Sequence, residues 1–425
     1  MLMRLLRVLL PSKPSAVIII SALLLGIGLG ALAGRIDPAA AAAAVPFIEP
    51  VGGLWLSGLQ MTIIPLLVAL LITGINAAAN AAKAGAVAAR SVISFTLLLA
   101  LSASFAALVM PLLLSAFPTP DAAVAAFTSA AGGGDAPIAV PDFGSFIGSL
   151  LPSNVVSAAA ANNILNLVAF TTIFAFAITR LPDPTRAPLT AFFRSLGEAM
   201  LVVINWMLVL APIGVFALGY AVAVKTGLAA LGGLAHYVAL VSSIGIALTL
   251  LAYGFAFAVA RLRPVTYSRA VLAPQAVAIS TQSSLASLPA MLKASEAVGV
   301  PAERADVILP LAVALFRFTG PAMNLAVAIY VAHLFGVGLD AATLAIGVMV
   351  ATMTSLASVS LPGTISFITA ISPIAVAMGV PIAPLAILVA VEQIPDIFRT
   401  LGNVTMDVAV TAAIDKSVPA EESQP

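Results

Sequence analysis

The chain has 425 residues and a formal net charge of +1; 62% of its residues are hydrophobic and only 8% are charged. Soluble domains carry roughly a quarter charged residues, so this composition cannot clothe a water-facing surface of such size. Near-neutral charge without a long basic run argues against nucleic acid as a partner, and the absence of cysteine excludes disulfides, thiol catalysis and Cys-ligated metals.

In chain order, Arg4, Arg7 and Lys13 precede an apolar run over 16–34. That run is too long for the core of a cleavable signal and reads as an uncleaved first helix. The stretches 92–114, 201–222, 237–260 and 307–334 also reach the roughly 20 residues needed to cross a bilayer. They are continuous rather than alternating, which points to helices and not to a barrel. Within hydrocarbon the helix satisfies its own backbone groups. The fold class expected is therefore an all-α polytopic membrane protein.

Basic residues orient the chain by the positive-inside rule. Arg4, Arg7 and Lys13 place the N-terminus in the cytoplasm, as do Lys83 and Arg90, then Arg180, Arg186 and Arg194, then Arg261, Arg263 and Arg269, for their own connections. The intervening connections hold only Arg35 and Lys225, and the stretch 117–142, without Lys or Arg, is expected outside. Beyond Arg269 the pattern changes. The segments 271–291 and 348–370 are interrupted at their centres by Ser, Thr, Gln and Pro, as in broken or re-entrant helices that line a cavity. Treating both as hairpins, or both as full spans, returns Lys416 to the cytoplasm. His236 and His333 stand far apart and read as helix-end or interfacial residues, not as a zinc or haem site.

A weak duplication marks this half. Ser284-Leu285-Ala286-Ser287 precedes Leu288-Pro289, and the same four letters recur as Ser355-Leu356-Ala357-Ser358, before Leu361-Pro362-Gly363. Each copy is followed by Phe-Arg-x-x-Gly: Phe316-Arg317 with Gly320, then Phe398-Arg399 with Gly402. Paired broken segments are the sequence pointer to a transporter's midplane site.

The last apolar helix, 385–413, carries Glu392, Asp396, Arg399, Asn403 and Asp407. At about 100° per residue these fall within an arc of roughly 80°. Ionisable residues inside a span are functional by default: Arg399 can hold a carboxylate bidentately, and Asp396 can receive an ammonium. A purely structural pair between Asp396 and Arg399 is the competing reading. Arg317, midway along 307–334, needs a counter-charge or water; Asp407 is the candidate, with another acid as the alternative.

These residues resemble the dicarboxylate/amino-acid:cation symporter family, which includes glutamate and aspartate transporters. The likeness is densest from about Pro274 to Lys416 and extends more weakly to Gln60-Met61-Thr62-Ile63-Ile64-Pro65-Leu66, similar to the family's second helix. Thr281 to Pro289 resembles the first serine-rich hairpin, Ser355 to Gly363 the second, and Asp396-x-x-Arg399-Thr400-x-x-Asn403-x-x-x-Asp407 the last helix. The resemblance implies eight transmembrane helices plus two re-entrant hairpins, inverted repeats, an elevator mechanism and a homotrimer. Abundant Ala points to a bacterial source and hence the inner membrane, and the basic residues place both termini in the cytoplasm. The resemblance divides the chain into scaffold helices at 1–80 and 148–230, transport-domain helices at 81–147 and 231–264, a transport core at 265–417 and a tail at 418–425. It implies that Arg399 meets the substrate's side-chain carboxylate and Asp396 its amino group. Thr400, Asn403, Ser283, Ser284, Gly320, Val359, Leu361, Pro362 and Gly363 complete the implied pocket, and the second hairpin acts as gate.

One departure stands out. Where the family usually reads Asn-Met-Asp-Gly-Thr, this chain has Phe316-Arg317-Phe318-Thr319-Gly320. Cation-site residues are lost there, while Asn403, Asp407, Ser355 and Ser358 remain. The expectation is that Arg317 stands in for a bound cation, pairs with Asp407 and reduces or abolishes sodium coupling, leaving a proton or no coupled ion. No cofactor is implied, and no nucleophile–base arrangement suggests an enzyme. The expected cargo is an acidic amino acid, with a C4-dicarboxylate as the nearest alternative; a channel or a non-transporting solute-binding homologue is the reading from another class.

Overall fold

A computed structural model provides the fold and describes residues 16–83, 86–121, 124, 151–161, 164–226, 229–357 and 363–417. Among the described residues it is helical throughout, without strands. The N-terminal half runs α1 (Ala16–Ile36), α2 (Pro38–Gln60), α3 (Ile63–Lys83), α4 (Ala86–Ala116), α5 (Val155–Ala160), α6 (Ile164–Thr179), α7 (Asp183–Val209), α8 (Ala211–Thr226) and α9 (Ala229–Ala258). The C-terminal half runs α10 (Pro264–Thr281), α11 (Ser284–Ala297), α12 (Ala302–Leu315), α13 (Thr319–Leu334), α14 (Ala341–Ala357), α15 (Gly363–Ala377), α16 (Leu385–Leu388) and α17 (Gln393–Ser417).

Five helical segments among the described residues are long and apolar enough to cross a membrane: Pro38–Gly58, Val87–Ala116, Asp183–Ile204, Leu231–Ala258 and Ala302–Leu334. On α4, Ile93, Leu97, Leu101, Leu108 and Leu112 are all exposed. Their spacing places them on one helix face, an apolar stripe suited to lipid rather than water.

α8 packs against α1 and α2, and α3 against α6 and α7. The α1–α8 contact needs glycine: a Cβ at Gly26 would lie 2.4 Å from the Phe216 carbonyl oxygen. α17 lies at the centre of the other group, against α9, α10, α11, α12, α13 and α15. α13 is buried on nearly every side, as expected of a helix apolar all round.

Three expected continuous spans are broken. The stretch 201–222 divides at Leu210, between α7 and α8, and 307–334 divides at residues 316–318, between α12 and α13. The stretch 385–413 divides at turn residues 389–392, between α16 and α17. Apolar composition alone does not reveal such breaks, because partner helices can satisfy the freed backbone groups. The segment 271–291 breaks as expected: Gln282 adopts φ 51° between α10 and α11, and these two helices pack against each other.

Candidate functional site

The break between α12 and α13 faces the first turns of α17. Phe316 is buried and stacks on Phe95 with ring centroids 4.7 Å apart, and Phe318 is buried beside it. Arg317, between them, is only partly buried. α13 then starts under a cap supplied from α17: Asn403 Oδ1 accepts from the Thr319 backbone N–H at 2.9 Å. The Thr319 hydroxyl lies 2.7 Å from the Arg399 carbonyl oxygen and 2.9 Å from Asn403 Oδ1, with one proton to share between them. The close approach requires Gly402, where a Cβ would meet Thr319 Cγ2 at 2.5 Å.

The charged residues expected along one stripe do gather, with a change of grouping. Arg399 Nη1 donates to Asp396 Oδ1 at 2.8 Å. Its Nη2 lies 2.5 Å from Glu392 Oε1, an ion contact not aligned as a hydrogen bond. All three residues are buried, with relative exposures of 1% for Glu392, 3% for Asp396 and 2% for Arg399. Glu392 sits in the turn before α17, yet its carbonyl still accepts from the Asp396 N–H at 2.9 Å, so it keeps the helical register. Its other carboxylate oxygen accepts from the Tyr237 hydroxyl at 2.8 Å. Tyr237 was not legible as a site residue. A tyrosine at the start of an apolar span that must find a partner for its hydroxyl is the signal that could have found it.

Arg317 does not pair with Asp407, which corrects the sequence expectation. Among the described residues no carboxylate lies within 4.0 Å of its guanidinium; the charges acting on it are Asp396, attractive, and Arg399, repulsive. Asp407 is fully buried, and both its carboxylate oxygens lack a hydrogen-bond partner among the described residues. The pairing fails because the break turns Arg317 towards the head of α17, whereas Asp407 lies two to three turns further down.

The first hairpin reaches the same place. Gln282 Nε2 donates to the Gln393 carbonyl oxygen at 3.2 Å, which ties the hairpin tip to the start of α17. Ser283 caps α11, its hydroxyl accepting from the Ala286 N–H at 3.2 Å, and Ser284 opens that helix. Thr400 is buried, and its hydroxyl donates to the Asp396 carbonyl oxygen at 3.0 Å. Ser355 is buried near the end of α14, and a Cβ at Gly320 would lie 3.6 Å from its hydroxyl. Gly363 begins α15; Ser358, Val359, Leu361 and Pro362 lie outside the described residues.

A buried guanidinium held between two carboxylates thus lies near a second, partly buried arginine in an unwound segment. Among the described residues no group of His, Asp and Glu could hold a metal ion. A family model described as the sodium:dicarboxylate symporter family matches residues 16–417. The proton/glutamate-aspartate symporter of Escherichia coli (strain K12) is 27% identical over 94% of this chain and 91% of its own length. The proton/sodium-glutamate symport protein of Bacillus subtilis (strain 168) is 25% identical over 87% and 86%. A C4-dicarboxylate transport protein of Anaeromyxobacter sp. (strain K) is 24% identical over 92% and 88%.

Proposed function

Because the chain belongs to the sodium:dicarboxylate symporter family and is a multi-pass membrane protein, we propose that it is a secondary transporter of acidic amino acids with reduced or absent sodium coupling. The observation that carries the substrate class is the Glu392–Arg399–Asp396 cluster, buried where two broken helices and a hairpin tip meet. Arg399 supplies a planar donor set for a carboxylate, and Asp396 an acceptor for an ammonium. In this reading Thr400, Asn403, Ser283 and Ser284 line the same pocket. Gly320 and the second hairpin, with Val359, Leu361, Pro362 and Gly363, complete the proposed pocket.

Support for weak sodium coupling comes from the break itself. Hard cations take several oxygen ligands. The side chains of Phe316 and Phe318 offer none, and Asn403 Oδ1 is already engaged by Thr319. Asp407, with Ser355 and Ser358, is what remains of a cation site in this reading. A proton, or no ion, then drives uptake.

The broken segments and the packing of α8 against α1 and α2 also support the mechanism proposed. The helices of 81–147 and 231–264 and the core 265–417, with its two re-entrant hairpins, form a body that slides against the scaffold helices, in a homotrimer of the bacterial inner membrane with cytoplasmic termini. The name of the Anaeromyxobacter relative favours a second reading, a C4-dicarboxylate transporter.

A thermal-shift screen of the purified protein separates the two, since a ligand that binds only the native state raises apparent stability. Aspartate and glutamate are expected to stabilise it more than succinate or malate. Stabilisation by the dicarboxylates alone would establish the second reading instead.

A further inference from the structure

The two guanidinium groups of the site are not equivalent. Arg399 is held by both nearby carboxylates, Glu392 at 2.5 Å and Asp396 at 2.8 Å. Arg317 has none within 4.0 Å among the described residues, although Asp396 attracts it from further away. The local ledger of Glu392, Asp396, Arg317 and Arg399 sums to zero, yet both negative groups are spent on one arginine. A guanidinium inside an apolar bundle requires a counter-charge or water, and Arg317 is the member of the cluster that still needs one.

The surroundings leave Arg317 partly accessible. Phe316 and Phe318 pack into the core and leave Arg317 as the only partly exposed residue of the break. Gly320 removes a side chain where a Cβ would lie 3.4 Å from Arg317 Cβ and 3.6 Å from Ser355 Oγ. The gap that this leaves is about one methyl group wide and lies beside the Arg317 Cβ. The N-terminus of α13 adds a field of the same sign.

We propose that Arg317 is a substrate-binding residue, its guanidinium receiving a carboxylate of the solute. The site then takes solutes with two acidic groups and discriminates against their half-amides. The carboxylate that a half-amide lacks is directed to Arg317, instead of to Arg399 as the family resemblance implies, and the other carboxylate to the Arg399 cluster. This rests on the reading of the chain as a transporter of acidic solutes. It replaces the idea that Arg317 serves only as a fixed cation.

The test uses purified full-length protein and calorimetric titration with two matched pairs, aspartate with asparagine and succinate with succinamate. Arg317→Met is expected to weaken binding of the preferred acid about tenfold, the scale of one charge-assisted hydrogen bond, and to leave its amide within about twofold. Arg317→Lys, a point charge without the planar fork, should fall between the two. Removing an unpaired guanidinium should leave the ligand-free melting temperature of Arg317→Met at or above that of the parent. An acid-to-amide ratio unchanged from the parent would overturn the proposal alone. So would a lowered ligand-free melting temperature, which would reveal a structural partner. A parent protein that binds neither acid would overturn the transporter reading and the proposal together.

Discussion

Replacing Glu392 by glutamine removes one of the two carboxylates that hold Arg399. The Glu392–Arg399 contact is 2.5 Å between atoms, with charge centres roughly 4 Å apart, and at an effective dielectric near 20 its attraction is about 4 kcal/mol. Glutamine keeps the shape and can still accept from the Tyr237 hydroxyl, so that hydrogen bond, about 1 kcal/mol net, is largely retained. Asp396 remains as counter-ion, and the cluster moves from neutral to a charge of +1.

An arriving carboxylate then no longer has to displace Glu392 from the guanidinium. If between a quarter and a half of the lost attraction returns as affinity, the gain is about 1–2 kcal/mol, or roughly tenfold. Titration of purified Glu392→Gln with aspartate and succinate should show that tightening, together with a ligand-free melting temperature a few degrees below the parent. A folded variant that binds both solutes no more tightly than the parent would refute the reasoning, because Glu392 would then not compete for Arg399.

Gly402→Ala places a methyl group 2.5 Å from Thr319 Cγ2 and 3.0 Å from Thr249 Oγ1; overpacking of this kind costs about 1–3 kcal/mol. Thermal unfolding should detect it, while Gly320→Ala, with nearest contacts of 3.4 and 3.6 Å, should leave the melting temperature near the parent's. Asp340 lies in the exposed link before α14 and accepts from the Thr343 backbone N–H and hydroxyl, both at 2.7 Å. These bonds hold its carboxyl below the usual carboxylate range. Its cap is therefore present above the unfolded value of about 3.9 and is lost as pH falls through the lower folded value. Amide exchange in the first turn of α14, corrected for intrinsic rates, should accelerate over that acidic window, and Asp340→Ala should abolish the acceleration.

Much of the fold was legible because a bilayer imposes a simple rule on sequence: long apolar runs become helices. The breaks were less legible. The split between α10 and α11 announced itself through Gln282 and Ser283, polar residues with turn and cap chemistry. The split at Phe316–Phe318 did not, since two aromatic residues beside an arginine carry no turn signal, and the unwinding is set by the Asn403 cap on Thr319 and by the stacking of Phe316 on Phe95.

The spacing along α17 correctly implied that Glu392, Asp396 and Arg399 share a face, because helical periodicity is local. The partner of Arg317 was misjudged for the complementary reason. Which acid it approaches depends on the direction in which an unwound segment turns, and tertiary packing decides that. Tyr237, more than a hundred residues from Glu392 in the chain, belongs to the same class of contact.

The ion that drives uptake is the most direct test of the function proposed. Purified protein in proteoliposomes would be given labelled aspartate with an inward proton gradient in sodium-free buffer, and separately with an inward sodium gradient at equal pH. Uptake is expected to persist without sodium and to show no saturable dependence on it. Uptake that requires the inward sodium gradient and saturates with sodium concentration would contradict the account.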